Sequence, residues 1–125
     1  MKTFLVELTT LAAKDLKGLP KIEDEVLVHL RELRTNPKKG HGLVQNLQGA
    51  RALEFTIKGS GEYRAAYVFQ EEEEKVTIFL IGPHENFYEE AGRRVKLLKS
   101  LFKKIREKNR EKNVKDIPTK RGKKS

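Results

Sequence analysis

Phe4, Val6 and Leu8 alternate with Leu5, Glu7 and Thr9, the period-two pattern of a strand with one face buried. Thr9 or Thr10 then suits the N-cap of a short helix running to about Gly18, with Leu11 and Leu16 expected inward and the glycine as its stop signal. Pro20 fits the first turn of a second helix, in which Ile22, Val26, Leu30 and Leu33 recur at helical spacing, and Asn36-Pro37 ends it. Two helices joined by so few residues predict a hairpin whose apolar stripes cover a sheet.

The sheet follows after a loop marked by Gly40, Gly42 and Asn46, with a short strand expected around Leu43 to Leu47. Leu53, Phe55 and Ile57 share one face of a strand from Leu53 to Lys58, and Glu54, Thr56 and Lys58 the other. Gly59-Ser60-Gly61 is a turn. Tyr63 to Phe69 alternates again, Glu71 to Glu74 read as a solvated hairpin tip, and Val76 to Ile81 is apolar on both faces, as a central strand would be. A final helix is expected from near Glu85 to about Lys112, striped by Phe87, Ala91, Val95, Leu98, Phe102 and Ile105. The expected class is α+β: an N-terminal strand, a helical hairpin, an antiparallel three-stranded meander and a C-terminal helix, with the helices packed on a small mixed sheet.

Composition narrows the chemistry. The 125 residues fit one domain, expected over 1–112, with 113–125 as a basic, flexible tail beyond it. The chain has no cysteine, so disulfides, thiolate zinc sites and cysteine nucleophiles are excluded. No stretch reaches the roughly 18 apolar residues of a membrane span, and a cytoplasmic location is the expectation. The net charge of +9 favours a polyanionic partner. It is unevenly placed: residues 1–92 hold 12 basic and 15 acidic side chains, and residues 93–125 hold 15 and 3.

Between Leu53 and Tyr88 the meander carries Lys58, Arg64, His84 and Tyr88. A histidine, a tyrosine and two cations near one edge of a sheet suit work on a phosphodiester, and metal-free RNA cleavage is the reaction that such a set can perform. Histidine titrates near neutrality and serves as acid or base. Arginine presents a planar array of donors to phosphate, and a tyrosine four residues after the histidine can stack on a base or assist proton transfer. The three histidines have no metal-ligand spacing. Plainer roles stand beside these: His84 as a helix-entry residue, Arg64 in a cross-strand pair with Glu54 or Glu62, Tyr88 in helix packing, Lys58 as a solvated turn residue, and His29 as a partly buried structural group. His41 sits in an open Gly-His-Gly loop.

The element order, with Leu47 to Gly49 as Leu-x-Gly, Gly61 to Arg64 as Gly-x-Tyr-Arg, and Gly82-Pro83-His84 leading to Tyr88, resembles the RelE/ParE superfamily of toxin–antitoxin toxins over roughly residues 1–95. The segment from Gly82 to Tyr88 is similar to the Gly-x-His-x-x-x-aromatic segment of the YafQ-like branch, in which the histidine and the aromatic residue belong to the active site. The resemblance implies a ribosome-dependent endoribonuclease that cuts messenger RNA, uses no cofactor and is restrained by a cognate antitoxin. His84, Arg64, Tyr88 and Lys58 would be its catalytic residues. Arg93, Arg94, Lys96, Lys99 and Lys103, with Lys104 and Arg106, would contact RNA phosphates, unless they only solubilise the helix. The chain departs from RelE in having Thr56 and Lys58 where RelE carries a lysine pair, and in lacking a clear counterpart to the arginine after the last strand. ParE-like members, which bind DNA gyrase, supply the alternative, and an inactive RNA- or antitoxin-binding module a third.

Overall fold

Thr9 caps the first helix, its hydroxyl accepting the Ala12 N–H at 3.2 Å. It ends β1 (Leu5–Leu8) and starts α1 (Thr10–Lys17), which stops at Gly18. α2 (Glu23–Arg31) carries Glu23, Asp24 and Glu25 in its first turn, where negative charge complements the helix dipole. The meander is β3 (Arg51–Ile57), β4 (Gly61–Gln70) and β5 (Lys75–Pro83), preceded by a two-residue β2 (His41–Gly42) and followed by α3 (Phe87–Leu97). The computed structural model describes residues 2–104 and residue 107.

The sheet has the order β1-β5-β4-β3-β2, with β1 parallel to β5 and the other neighbours antiparallel. β5 lies inside the sheet, between β1 and β4, as its two-sided apolar sequence predicts. Val26, Leu30 and Leu33 pack with Leu53, Phe55, Ile57 and Tyr67 on one face. Phe87, Ala91, Val95 and Phe102 pack with Ala52, Ala66, Val68 and Leu80 on the other. The molecule is thus a sheet between two helical layers.

One irregularity shapes the α3 side. Ala66 pairs with Leu80 but Tyr67 with Ile78, so Phe79 is an extra residue in β5 and joins Leu80 in the α3-side core. β1 has already ended beside Ile78, which leaves the outer edge of β5 from Phe79 onward without a neighbouring strand. Side chains complete it. Asp15 Oδ2 accepts the Ile81 N–H at 3.0 Å, and Arg94 Nη1 donates to the Phe79 carbonyl at 2.9 Å. The two groups also join in a bidentate pair, Nη1 to Oδ2 at 2.6 Å and Nη2 to Oδ1 at 2.9 Å. Arg94 Nε adds a 3.0 Å bond to Glu90. Asp15 above all, then Glu90, raises the guanidinium's affinity for its proton against the opposing effect of burial.

Several sequence expectations are corrected. Leu11 is on the exposed side of α1, and Ala12 with Leu16 forms the buried pair; residues four apart share a helix face and residues five apart do not. The short strand lies at His41–Gly42 and not at Leu43 to Leu47, where Gln45–Leu47 forms a 3-10 turn. Pro20 precedes α2 in a turn instead of opening it. The last helix starts at Phe87 and breaks at Leu98, whose φ of −105° and ψ of 33° are not helical, before turning helical again over 99–104. Ile105, the end of that helix near Lys112 and the tail at 113–125 lie outside the described residues.

Candidate active site

The site is built on one rung of the sheet. Glu54, Arg64 and Gly82 stand side by side across β3, β4 and β5, on the face that α3 covers farther along. Gly82 leaves the floor bare beside Arg64, and the space that a Cβ would fill there is open. Pro83 then ends β5, and His84 to Asn86 turn the chain into α3, with Asn86 at a left-handed φ of 56°. That turn brings Tyr88, in the first turn of α3, back over the rung.

Arg64 is at the centre. Its guanidinium carbon lies 5.2 Å from the Tyr88 ring centroid, a cation–π arrangement. Nη1 reaches the His84 carbonyl at 3.5 Å, and Nε lies 3.3 Å from Glu54 Oε2. The cross-strand pair with Glu54 is therefore present, and it aims the arginine without burying it: the side chain keeps 22% of its exposure. Tyr88 keeps 39%, so the phenol ring covers the arginine on one side and faces solvent on the other. His84 is half exposed, with Nε2 3.6 Å from Glu85 Oε2.

The structure adds a second histidine. His41 Nε2 lies 3.4 Å from the Tyr88 hydroxyl and its Nδ1 3.9 Å from Glu54 Oε2. His41 enters because β2 pairs it with Ala52, next to the Glu54 position. Its loop is anchored from below: the Tyr67 hydroxyl accepts the Gly40 N–H at 3.0 Å and donates to the Pro37 carbonyl at 2.7 Å. Arg51 donates to the Gly40 and Lys38 carbonyls at 2.8 and 3.1 Å. Only glycine fits at position 40, where a Cβ would meet the Ala52 carbonyl oxygen at 2.6 Å.

Burial pushes the Tyr67 hydroxyl's pKa above the ordinary tyrosine range. The folded protein holds that proton more tightly than the unfolded chain. Its contribution to stability is therefore complete below the unfolded value of about 10 and is lost as pH rises through the higher folded value. Urea midpoints should fall more steeply with pH above about 10 in the natural chain than in Tyr67→Phe, a comparison that equilibrium unfolding reads directly.

The other sequence candidates separate. Lys58 is an exposed residue of the β3–β4 turn and makes no hydrogen bond or ion pair among the described residues. Arg94 is buried in the Asp15 pair and unavailable to a phosphate, a correction to its expected role in RNA contact. Arg93, Lys96, Lys99 and Lys103 are exposed. The break at Leu98 nevertheless sends the last two away from Arg64: Phe102 packs on Phe79, and Lys104 Nζ lies 3.8 Å from Glu73 in the β4–β5 tip. Gly82 and that tip are separated along β5 by about 23 Å at the usual strand rise. His29 stacks on Phe55 with ring centroids 4.9 Å apart, the structural role that its sequence position suggests.

A five-stranded sheet with helices on both faces and this strand-to-helix junction is an α+β fold of the kind that RelE toxins have. The family model described as "ParE-like toxin of type II bacterial toxin-antitoxin system" matches residues 6–92, and the chain belongs to that family. The toxin–antitoxin complex RelBE2 of Mycobacterium tuberculosis contains a similar chain, with a TM-score of 0.59 and 26% identity, covering 67% of this chain and 94% of that one. An arginine-to-alanine double mutant of Escherichia coli RelE in the free state superposes with a TM-score of 0.58 at 20% identity, covering 74% and 98% of the two chains. The intact Escherichia coli RelBE complex gives 0.52 at 18% identity, covering 66% and 98%. The chain has no match among curated proteins.

Proposed function

We propose that this toxin is a ribosome-dependent endoribonuclease that cleaves messenger RNA. The observation that carries the reading is the grouping of Arg64, Tyr88, His41 and the His84 junction around the open floor at Gly82. In the reaction the ribose 2′-oxygen attacks the adjacent phosphorus and gives its proton to a base. The P–O5′ bond breaks, the leaving 5′-oxygen takes a proton from an acid, and the products are a 2′,3′-cyclic phosphate and a 5′-hydroxyl. His84 and His41 supply the proton-transfer pair. Arg64 neutralises charge on the phosphoryl oxygens, Tyr88 stacks on a base with its exposed face, and Lys58 adds a distant positive potential. Glu54 orients Arg64.

A cognate antitoxin is the second partner of this reading. A cleft of about 590 Å³ follows β1, walled by Phe4, Val6, Leu8, Leu27 and Leu30 with Arg31 and Arg34 among its lining. It offers an apolar seat and two cations to an antitoxin segment of apolar and acidic residues.

Primer extension on a translated messenger, with and without ribosomes, tests the nuclease. The natural chain should give cuts only with ribosomes, and His84→Ala should weaken them by roughly 10²-fold or more. An intact messenger in every sample would overturn the reading and favour the ParE-like alternative, binding of DNA gyrase, which a supercoiling assay decides.

Arg93, Lys96, Lys99 and Lys103 are proposed to touch RNA away from the cut, where their effect would be on affinity. Each alanine substitution at a true phosphate contact should lower the slope of log affinity against log salt by about 0.7 to 0.9. Binding of the variants to ribosomes across a salt series measures it, and an unchanged slope would assign these residues to solubility.

A further inference from the structure

We propose that Tyr67 and Arg51 are positioning residues for His41, acting through the loop that carries it; the catalytic half of the inference rests on the nuclease reading above. Tyr67 is fully buried in the core beneath α2, a place where phenylalanine would pack as well. Its hydroxyl is what differs. That hydroxyl reaches out of the core at the loop and binds both the N–H of Gly40 and the carbonyl of Pro37. Arg51 binds the carbonyls of Gly40 and Lys38. Three carbonyls and one N–H immediately before His41 are thus held by two side chains that rise from neighbouring strands.

This purchase is placed to fix a ring and not only a loop. His41 is the next residue after the clamped peptide, and its pairing with Ala52 fixes the far side. The imidazole itself has weak holds, 3.4 Å to Tyr88 and 3.9 Å to Glu54, and is half exposed. Its position is therefore set by the backbone that delivers it. The absent side chain at Gly40 belongs to the same device, since it lets the loop lie against the Ala52 carbonyl within reach of the Tyr67 hydroxyl. A displacement of about 1 Å at a reacting group is enough to cost about 10²-fold in rate, so a clamp of this kind governs turnover without touching RNA.

The three histidines give the test a readout independent of activity. Imidazole nitrogen and proton resonances of His29, His41 and His84 are followed through a pH titration in the natural chain, Tyr67→Phe and Arg51→Met. Ile78→Val, which removes one methylene from the core, serves as the stability control. In both clamp variants the His41 resonances should move and the nuclear Overhauser contact with the Tyr88 ring should fade, with His29 and His84 in place. The control should move none of them. Cleavage by the clamp variants should fall about 10- to 10²-fold in kcat with KM for programmed ribosomes nearly constant. If Tyr67→Phe fails to fold, Arg51→Met decides, because Arg51 is only partly buried. Unmoved His41 resonances, or equal movement of all three histidines, would overturn the proposal. Absence of cleavage by the natural chain would remove the nuclease reading, and the resonances would still decide whether the clamp places the ring.

Discussion

Arg64→Ala should lower ribosome-dependent cleavage by about 10²- to 10³-fold, the usual cost of deleting a donor aimed at developing oxyanion charge. The loss should fall on kcat, because the phosphoryl oxygens carry their extra charge in the transition state and not before it. Arg64→Lys should recover little of the rate. A lysine ammonium cannot lie flat beneath the Tyr88 ring, reach toward the His84 carbonyl and pair with Glu54 while still presenting donors to phosphate. Folding should be little altered, because Glu54 is half exposed and such solvent-accessible pairs contribute about 0 to 1 kcal/mol. Thermal melting beside single-turnover cleavage checks both halves. A variant that melts normally and cleaves at the natural rate would remove Arg64 from the chemistry.

The second large effect concerns the fold. Asp15→Ala should destabilise the protein by about 3 kcal/mol, the lower end of the cost of breaking a buried ion pair, because Glu90 still pairs with Arg94 Nε. The side chains of Arg94 and Asp15 are 10% and 17% exposed, so water is poorly placed to replace the lost carboxylate. The Ile81 N–H loses its acceptor in the same change. Against a typical total of about 5 to 15 kcal/mol this is a large share of stability, and urea denaturation should show the midpoint falling accordingly. Replacing both partners by apolar residues, Asp15→Leu with Arg94→Met, should cost less than Asp15→Ala alone, because no charge is then left buried. Equal or greater loss in the double variant would mean that the sheet edge needs these polar groups irrespective of charge.

The core strands were legible because their pattern is local. Leu53, Phe55 and Ile57 announce a face by alternation alone, and Val76 to Ile81 announce a central strand by lacking alternation. Thr9 announces a cap by its chemistry. The family motifs likewise led to Arg64, Tyr88 and His84, whose nearness depends on adjacent hairpin strands and one turn. His41 was only faintly legible as a site residue, an open-loop histidine whose neighbour Tyr88 is 47 positions away, with nothing near it to predict a loop crossing to α3. Arg94 was hidden differently. It stands within a basic run, yet Ala91, Arg94 and Leu98 are spaced by three and four, so a charged residue inside an apolar stripe was the available signal. Its partner Asp15 lies 79 positions away. The break at Leu98 has no glycine or proline to announce it, and the sequence stripe runs on through it.

The close approach of Gly40 to β3 and β4 has a consequence for reading related sequences. Gly40, His41, Arg51 and Tyr67 are scattered along the chain but form one mechanical unit, so they should be inherited as one. A lineage that replaces the tyrosine by phenylalanine loses the reason to keep the glycine, and one that puts a side chain at position 40 must move the loop and abandon the histidine's place. A Gly-His pair followed by an arginine ten residues on and a tyrosine sixteen beyond that is therefore a more discriminating signature than the histidine alone.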